Sequence, residues 1–229
     1  MRKLLLILFL LVFTTGIRAQ YKPVLFGLRA AANLGWIKPD AEGYSNDGAE
    51  LGFTWGFMGQ FFLMENYAIL TGFNVNFNGG NLTYLAPLPI DNNDTVPIGM
   101  LSRNYNLKYI QIPLCLKMQA DVSEKIRIFG KIGLGTAFLL NAKAKDSFNY
   151  EDQDYNETRD ISEEIALMRE SLIIGGGMEL ILKGSTALVI DLTYDNGLNN
   201  IFTQDNPATP AVTPKAFHNF VELGAGIIF

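Results

Sequence analysis

Apolar and polar residues alternate along eight stretches of the chain. In residues 24–36, Val24, Phe26, Leu28, Ala30, Ala32, Leu34 and Trp36 share one parity, opposite Gly27, Arg29, Asn33 and Gly35. Phe53, Trp55, Phe57, Phe61 and Leu63 oppose Thr54, Gly56 and Gln60; Tyr67, Ile69, Phe73, Val75 and Phe77 oppose Gly72, Asn74 and Asn76. Ile110, Ile112, Leu114, Leu116 and Met118 oppose Tyr109, Gln111, Cys115 and Lys117. Ile126, Ile128, Ile132, Leu134, Phe138 and Leu140 oppose Arg127, Lys131, Gly133, Gly135 and Asn141. Leu172, Ile174, Met178, Leu180 and Leu182 oppose Gly175, Gly177 and Glu179, and Leu188, Ile190, Leu192 and Tyr194 oppose Asp191, Thr193 and Asp195. At the end of the chain Phe217, Val221, Leu223, Ala225, Ile227 and Phe229 oppose His218, Glu222, Gly224 and Gly226, with Asn219 interrupting the apolar row. Successive strand side chains point to opposite faces, so each stretch predicts a strand with one apolar face and one polar or small face.

The connections between these strands alternate in length. Met64–Asn66, Gln119–Glu124 and Lys183–Ser185 are short, whereas 37–52, 78–104, 142–171 and 195–216 are long. Short turns at one end and long loops at the other predict an all-β, eight-stranded antiparallel up-and-down transmembrane β-barrel, with both termini on the short-turn, periplasmic side. Charge fixes which face is which. Placing Arg or Lys on the lipid face at mid-membrane costs roughly 2–4 kcal/mol, and Arg29, Lys117, Arg127, Lys131, Glu179, Asp191 and Glu222 all fall on the polar parity. In a barrel of eight strands the interior is just wide enough for side chains to fill it. These seven residues are therefore expected to form a lumen charge network that plugs the barrel. Gly133, Gly135, Gly175, Gly177, Gly224 and Gly226 would leave room for the longer side chains.

The N-terminus refines the location. Arg2 and Lys3 precede an apolar run from Leu4 to Phe13, and Ala19 offers a small-residue cleavage point. Residues 1–19 are read as a secretory signal peptide, since the run is too short to span a membrane, and 20–229 as the barrel domain. The terminal Phe229 is expected to act as an end-signal for the barrel-assembly machinery. Composition agrees with an all-β chain: 22 Gly, 16 Phe and 9 Tyr without helical periodicity. A net charge of −5 argues against nucleic acid as a partner. The single Cys115 excludes a disulfide framework or a multi-cysteine metal site.

Candidate chemistry is sparse. His218 is the only histidine and cannot alone build a multi-histidine metal site; no GxSxG-type elbow surrounds a serine. Asp152, Asp154, Asn156, Asp160 and Glu163 match positions one, three, five, nine and twelve of a calcium loop, but Glu157 replaces the turn glycine. A solvated acidic loop is the preferred reading, with divalent-cation binding as its alternative. Ile161, Ile165 and Met168 have helical spacing and predict a short helix over Ile161–Ser171. The run around Gly175 and Gly177 lacks the Lys-Ser/Thr of a phosphate loop and reads as a site of barrel curvature. Trp36, Trp55 and Tyr194 are expected near strand ends in interfacial girdles. Pro87, Pro89, Pro97, Pro207, Pro210 and Pro214 stiffen the long loops, where partner contacts would fall.

Four segments carry a resemblance: FGLRAAANLG from Phe26, YIQIPLCLKM from Tyr109, FGKIGLGTAFLL from Phe129 and the terminal VELGAGIIF. In these the chain resembles the PorT-like outer-membrane β-barrel proteins of Bacteroidetes-type bacteria. The resemblance implies an outer-membrane barrel, and one member class takes part in exporting cargo proteins across that membrane. The expected function is a non-enzymatic integral outer-membrane barrel without cofactor or metal. It would contact outer-membrane lipid and present its loops to a protein or glycan partner. The alternatives are an outer-membrane lipid-modifying enzyme using His218 and a soluble periplasmic ligand-binding barrel.

Overall fold

The computed structural model describes residues 24–88, 97–150 and 153–229. The expected signal peptide, Pro89 and Asp152 lie outside them. Ten strands follow one another: β1 Val24–Pro39, β2 Tyr44–Asn46, β3 Glu50–Met64, β4 Tyr67–Pro87, β5 Ile98–Ser123, β6 Ile126–Tyr150, β7 Gln153–Asp160, β8 Met168–Lys183, β9 Thr186–Gly197 and β10 Ala216–Ile228. Antiparallel pairing runs β1–β3–β4–β5–β6–β8–β9–β10 and returns from β10 to β1, closing a ring of eight staves. The closing seam is long, from Gly27 opposite Ile228 to Pro39 opposite Ala216. β2 and β7 stand outside the ring, paired with β4 and β6. At one end the turns are two residues long (Glu65–Asn66, Glu124–Lys125 and Gly184–Ser185). Gly184 has φ +61°, a conformation that costs glycine nothing.

The outward rows form an apolar band. Leu28, Phe53, Trp55, Ile112, Leu114, Ile128, Leu134, Ile174, Leu192 and Leu223 all stand exposed on the outer wall, the arrangement a barrel adopts in lipid. The band has a sharp upper edge on three strands. Above Phe77, Ile110 and Leu140, the outward positions become Asn81 and Thr83 on β4, Lys108, Asn106 and Asn104 on β5, and Lys143 and Lys145 on β6. The Lys108 ammonium lies over the Phe77 ring (5.0 Å), bridging apolar and polar zones. Trp36 and Tyr194 stack at this margin, 6.1 Å between centroids. Trp55 sits deeper than a girdle position, paired with Ala30 and Val75 and edge-on to Phe73 at 6.4 Å.

Beyond the band β4, β5 and β6 continue as a sheet, widened by β2 and β7. Much of what the sequence reads as loop in 78–104 and 142–171 is therefore strand. Alternation persists there, but its apolar face (Leu82, Tyr84, Leu101, Tyr105, Leu107, Ala142, Ala144 and Phe148) turns inward and is buried. A bulge makes this possible on β6: Lys108 faces Asn141 while Tyr109 faces Leu139, so Leu140 is the extra residue. The bulge shifts parity, moving Asn141 off the lumen face and bringing Asp146 inside. The expected helix over Ile161–Ser171 is absent. Ile161 and Ile165 instead drop into the apolar cluster over the wall, and Met168 already begins β8. Their spacing of four reflects two anchors of one loop. Asn219 also departs from its outward parity, since it is buried and its Oδ1 accepts the Gly197 amide at 2.9 Å.

Leu134, mid-band and exposed, gives the lipid assignment a direct check. Leu134→Lys should lower unfolding free energy in phospholipid vesicles by about 2–4 kcal/mol. Thr158→Lys, on the exposed face of β7 beyond the band, should change it by less than about 0.5 kcal/mol. Urea titration followed by tryptophan fluorescence measures both.

Candidate functional site

The lumen is built in layers. At the short-turn end Leu25, Phe129, Ala187, Val189 and Ile228 cluster with Met58, Phe62 and Ile181. Above them the Lys117 ammonium of β5 pairs with Glu179 of β8, both fully buried, and donates to Gln60 Oε1 at 2.9 Å. Gln60 in turn donates to Glu179 at 3.2 Å. Arg127 reaches Glu179 Oε2 at 3.5 Å and Asp121 at 2.7 Å. One layer higher, Arg29 of β1 contacts Glu222 of β10 at 2.7 Å and Asp191 of β9 at 3.5 Å. Lys131 of β6 crosses to the same Asp191 at 2.6 Å, and Thr193 donates to it at 2.8 Å. The seven sequence-identified charges thus take part in two sets of ion pairs, with Arg127 beside the Glu124–Lys125 turn, where its second partner Asp121 is exposed.

Glycine makes the space. A Cβ on Gly224 would lie 2.5 Å from Asp191 Oδ1 and 2.8 Å from Arg29 Nη2; one on Gly175 would lie 2.8 Å from Lys131 Cε. The cavity left between these groups is about 70 Å³.

A third layer escaped the sequence reading. Arg169 Nη2 donates to Asp195 at 2.5 Å and to the His218 carbonyl at 2.7 Å. Gln111 and Ser171 both donate to Asp195 Oδ2, at 2.7 and 3.2 Å. Arg169 falls in a segment read as loop, although it shares parity with Ser171 and Glu179, which is the signal that would have found it. The His218 ring is buried between Tyr109 and Phe220, 6.5 and 5.9 Å between centroids. It makes no hydrogen bond to a serine or carboxylate, so no nucleophile–base pair forms on it.

A fourth cluster lies outside the band, under the long connections. Arg103 makes a bidentate contact to Asp146, Nε to Oδ1 at 2.6 Å and Nη2 to Oδ2 at 2.8 Å, and reaches Glu164 at 3.0 Å. Arg159 of β7 bonds the same two acids, at 3.2 and 2.6 Å. Burial opposes the Arg103 charge, but the hydrogen bonds it donates to the Asp146 carboxylate, together with that carboxylate's charge, outweigh it and hold the guanidinium above its ordinary range. Burial pushes the phenols of Tyr84 and Tyr105 upward, so both are neutral donors at neutral pH, with their hydroxyls 3.3 Å apart. A cleft of about 250 Å³ opens beside them, lined by Tyr44, Arg103, Arg159, Phe202 and Asn206 among others.

The acidic stretch does not form a calcium loop: residues 153–160 are strand β7, with Asp154, Asn156 and Asp160 spread along its exposed face. Asp160 caps the turn instead, accepting the Ser162 amide at 2.8 Å; bonds from the Ser162 amide and hydroxyl hold its carboxyl below the usual range. Among the described residues no group of three or more His, Cys, Asp or Glu is placed to hold a metal.

A closed eight-stranded meander with an apolar outer band and a charged, paired interior is a transmembrane β-barrel. The chain belongs to the outer membrane protein beta-barrel domain family, which matches residues 18–203. Its fold is similar to that of Neisserial surface protein A: 13% identity, TM-score 0.49, covering 90% of this chain and 96% of the other. It is also similar to OprG of Pseudomonas aeruginosa, at 11% identity and TM-score 0.44 over 91% and 97% of the two chains. A third likeness is Ail, the attachment invasion locus protein of Yersinia pestis, at 16% identity and TM-score 0.40 over 90% and 98%. No curated protein matches the chain.

Two substitutions test the ionic clusters. Glu179→Gln leaves Lys117 buried without its countercharge and should cost about 3–5 kcal/mol of unfolding free energy, measured by urea titration in vesicles. Asp146→Asn unpairs two arginines that hold Glu164. Cleavage within 161–167 by limited proteolysis should then speed up while the membrane-embedded fragment stays intact.

Proposed function

We propose that this protein is a non-enzymatic integral outer-membrane barrel whose lumen is plugged and whose external wall serves partner binding. The observation that carries this reading is the pairing of Arg29, Lys117, Arg127, Lys131, Glu179, Asp191 and Glu222 across the interior of an eight-stranded barrel. A solute channel needs mobile or unpaired polar groups along a wetted path; here each charge is engaged by one from a different strand. Apolar clusters lie above and below the charged layers. The termini and two-residue turns would face the periplasm, and the wall of β4, β5, β6 and β7 would stand outside the cell. The cleft beside Tyr44, Arg103 and Phe202 is where a protein or glycan would dock. The resemblance of four segments to PorT-like barrels supports a role beside a secretion apparatus.

Planar-bilayer recording tests the plug. The purified protein should show no unitary conductance steps, and Arg29→Ala combined with Lys131→Ala should introduce them by thinning the middle layer. Regular channel openings in the unaltered protein would contradict the reading.

A further inference from the structure

The outer wall carries a recess at the upper edge of the apolar band. Its volume is about 240 Å³, and it spans β3 to β6, lined by Leu51, Phe77, Asn106, Lys108, Asn141 and Lys143 among others. Leu51 and Phe77 are exposed apolar residues of the band, whereas the other four stand at its polar margin. Ladder register sets their order. Lys108 of β5 lies opposite Asn141 of β6, Asn106 lies opposite Lys143, and two residues farther out Asn104 lies opposite Lys145. Three lysines therefore share one outward face of two neighbouring strands, where like charges repel.

None of the ion pairs among the described residues includes Lys108, Lys143 or Lys145. Two acids border the patch, and both are engaged. Glu50 accepts from Asn104. Asp160, opposite Lys143 on β7, accepts from the Ser162 amide at 2.8 Å and from Asn141 at 3.2 Å. Three positive charges beside two negative ones leave the patch cationic. The Lys108 ammonium is held 5.0 Å from the Phe77 ring centroid, a contact that orders it without neutralising it. By contrast Lys215, just before β10, pairs with Asp40 at 2.6 Å.

We infer that this recess binds the phosphate of an anionic membrane lipid in the leaflet on the long-loop side. Depth favours that occupant. Lys108 lies two residues beyond outward Ile110, and Asn106, with Lys143 opposite, two beyond that. At about 3.4 Å per strand residue and a tilt of about 40°, they stand roughly 5 and 10 Å above Ile110. The polar layer of a leaflet is roughly 5–8 Å deep, so a lipid phosphate falls between the two ammonium groups. Lysine binds phosphate as a point charge, and its long stem lets Lys143 bend toward that layer. The Asn106 and Asn141 amides each keep a hydrogen beyond the bond they make to Asn104 and Asp160. Below them Leu51 and Phe77 offer acyl chains an apolar wall, which a soluble phosphate would not use. The inference rests on the membrane-barrel reading and adds to it a choice among the lipids that surround the barrel.

Native mass spectrometry tests the site. The purified protein, in a neutral detergent, is titrated with phosphatidylglycerol or with phosphatidylcholine bearing the same chains. Phosphatidylglycerol should bind about thirty-fold more tightly, and Lys108→Ala combined with Lys143→Ala should abolish the preference. Lys108→Arg with Lys143→Arg should keep it, and Lys215→Ala should change it less than about two-fold. Millimolar inorganic phosphate should leave the lipid bound. Equal binding of the two lipids would overturn the site, as would an unchanged preference in the alanine variant. Displacement by inorganic phosphate would overturn it too, since the acyl chains would then contribute nothing. Absence of a heat-modifiable gel shift in the unaltered protein would instead bring down the membrane-barrel reading, and the lipid site with it.

Discussion

In hydrocarbon a backbone amide finds no water, so every strand of a membrane-spanning sheet must have a neighbour on both sides. The seam between β1 and β10 meets this constraint by joining the ends of the sheet over thirteen consecutive residue pairs, Gly27–Pro39 with Ile228–Ala216. Much else follows from that closure. Eight staves bring the walls within side-chain reach, so a long polar residue can meet one from a stave that is not its neighbour. Lys117 on β5 reaches Glu179 on β8, and Arg29 on β1 reaches Asp191 on β9. The lumen is thus cross-braced between strands that share no ladder.

Such bracing has an asymmetric energetics. Replacing an entire buried pair by apolar groups of equal volume is often neutral or stabilising, whereas removing one partner costs about 3–5 kcal/mol. The lumen charges therefore matter less as a source of stability than as a constraint. In a β-sheet a one-residue slip sends every side chain to the opposite face; here it would thrust Lys117 or Arg29 into lipid while stranding Glu179 or Glu222. The ionic layers and the apolar band penalise the same errors from opposite sides of the wall. The small residues complete the argument, since Gly224 and Gly175 stand where any side chain would collide with Arg29, Asp191 or Lys131.

How far the sequence discloses the structure depends on which medium a strand sits in. Within the band the two faces differ sharply in polarity, so the parity of Leu28 against Arg29, or of Leu223 against Glu222, reads directly as outside against inside. Beyond the band the outer face meets water and the inner face a local apolar cluster. Alternation such as Leu101-Ser102-Arg103-Asn104-Tyr105 then competes with abundant Asn, Pro and Ser that look like loop. Arg103, Asp146 and Arg169 were missed for that reason, although each shares its parity with buried neighbours. The bulge at Leu140 is a different kind of blindness. It reverses parity without any glycine or proline to announce it, and only the pairing of Lys108 with Asn141 beside Tyr109 with Leu139 exposes it. Ile161 and Ile165 mislead because a loop that dips twice into a core has the same spacing as a helix turn.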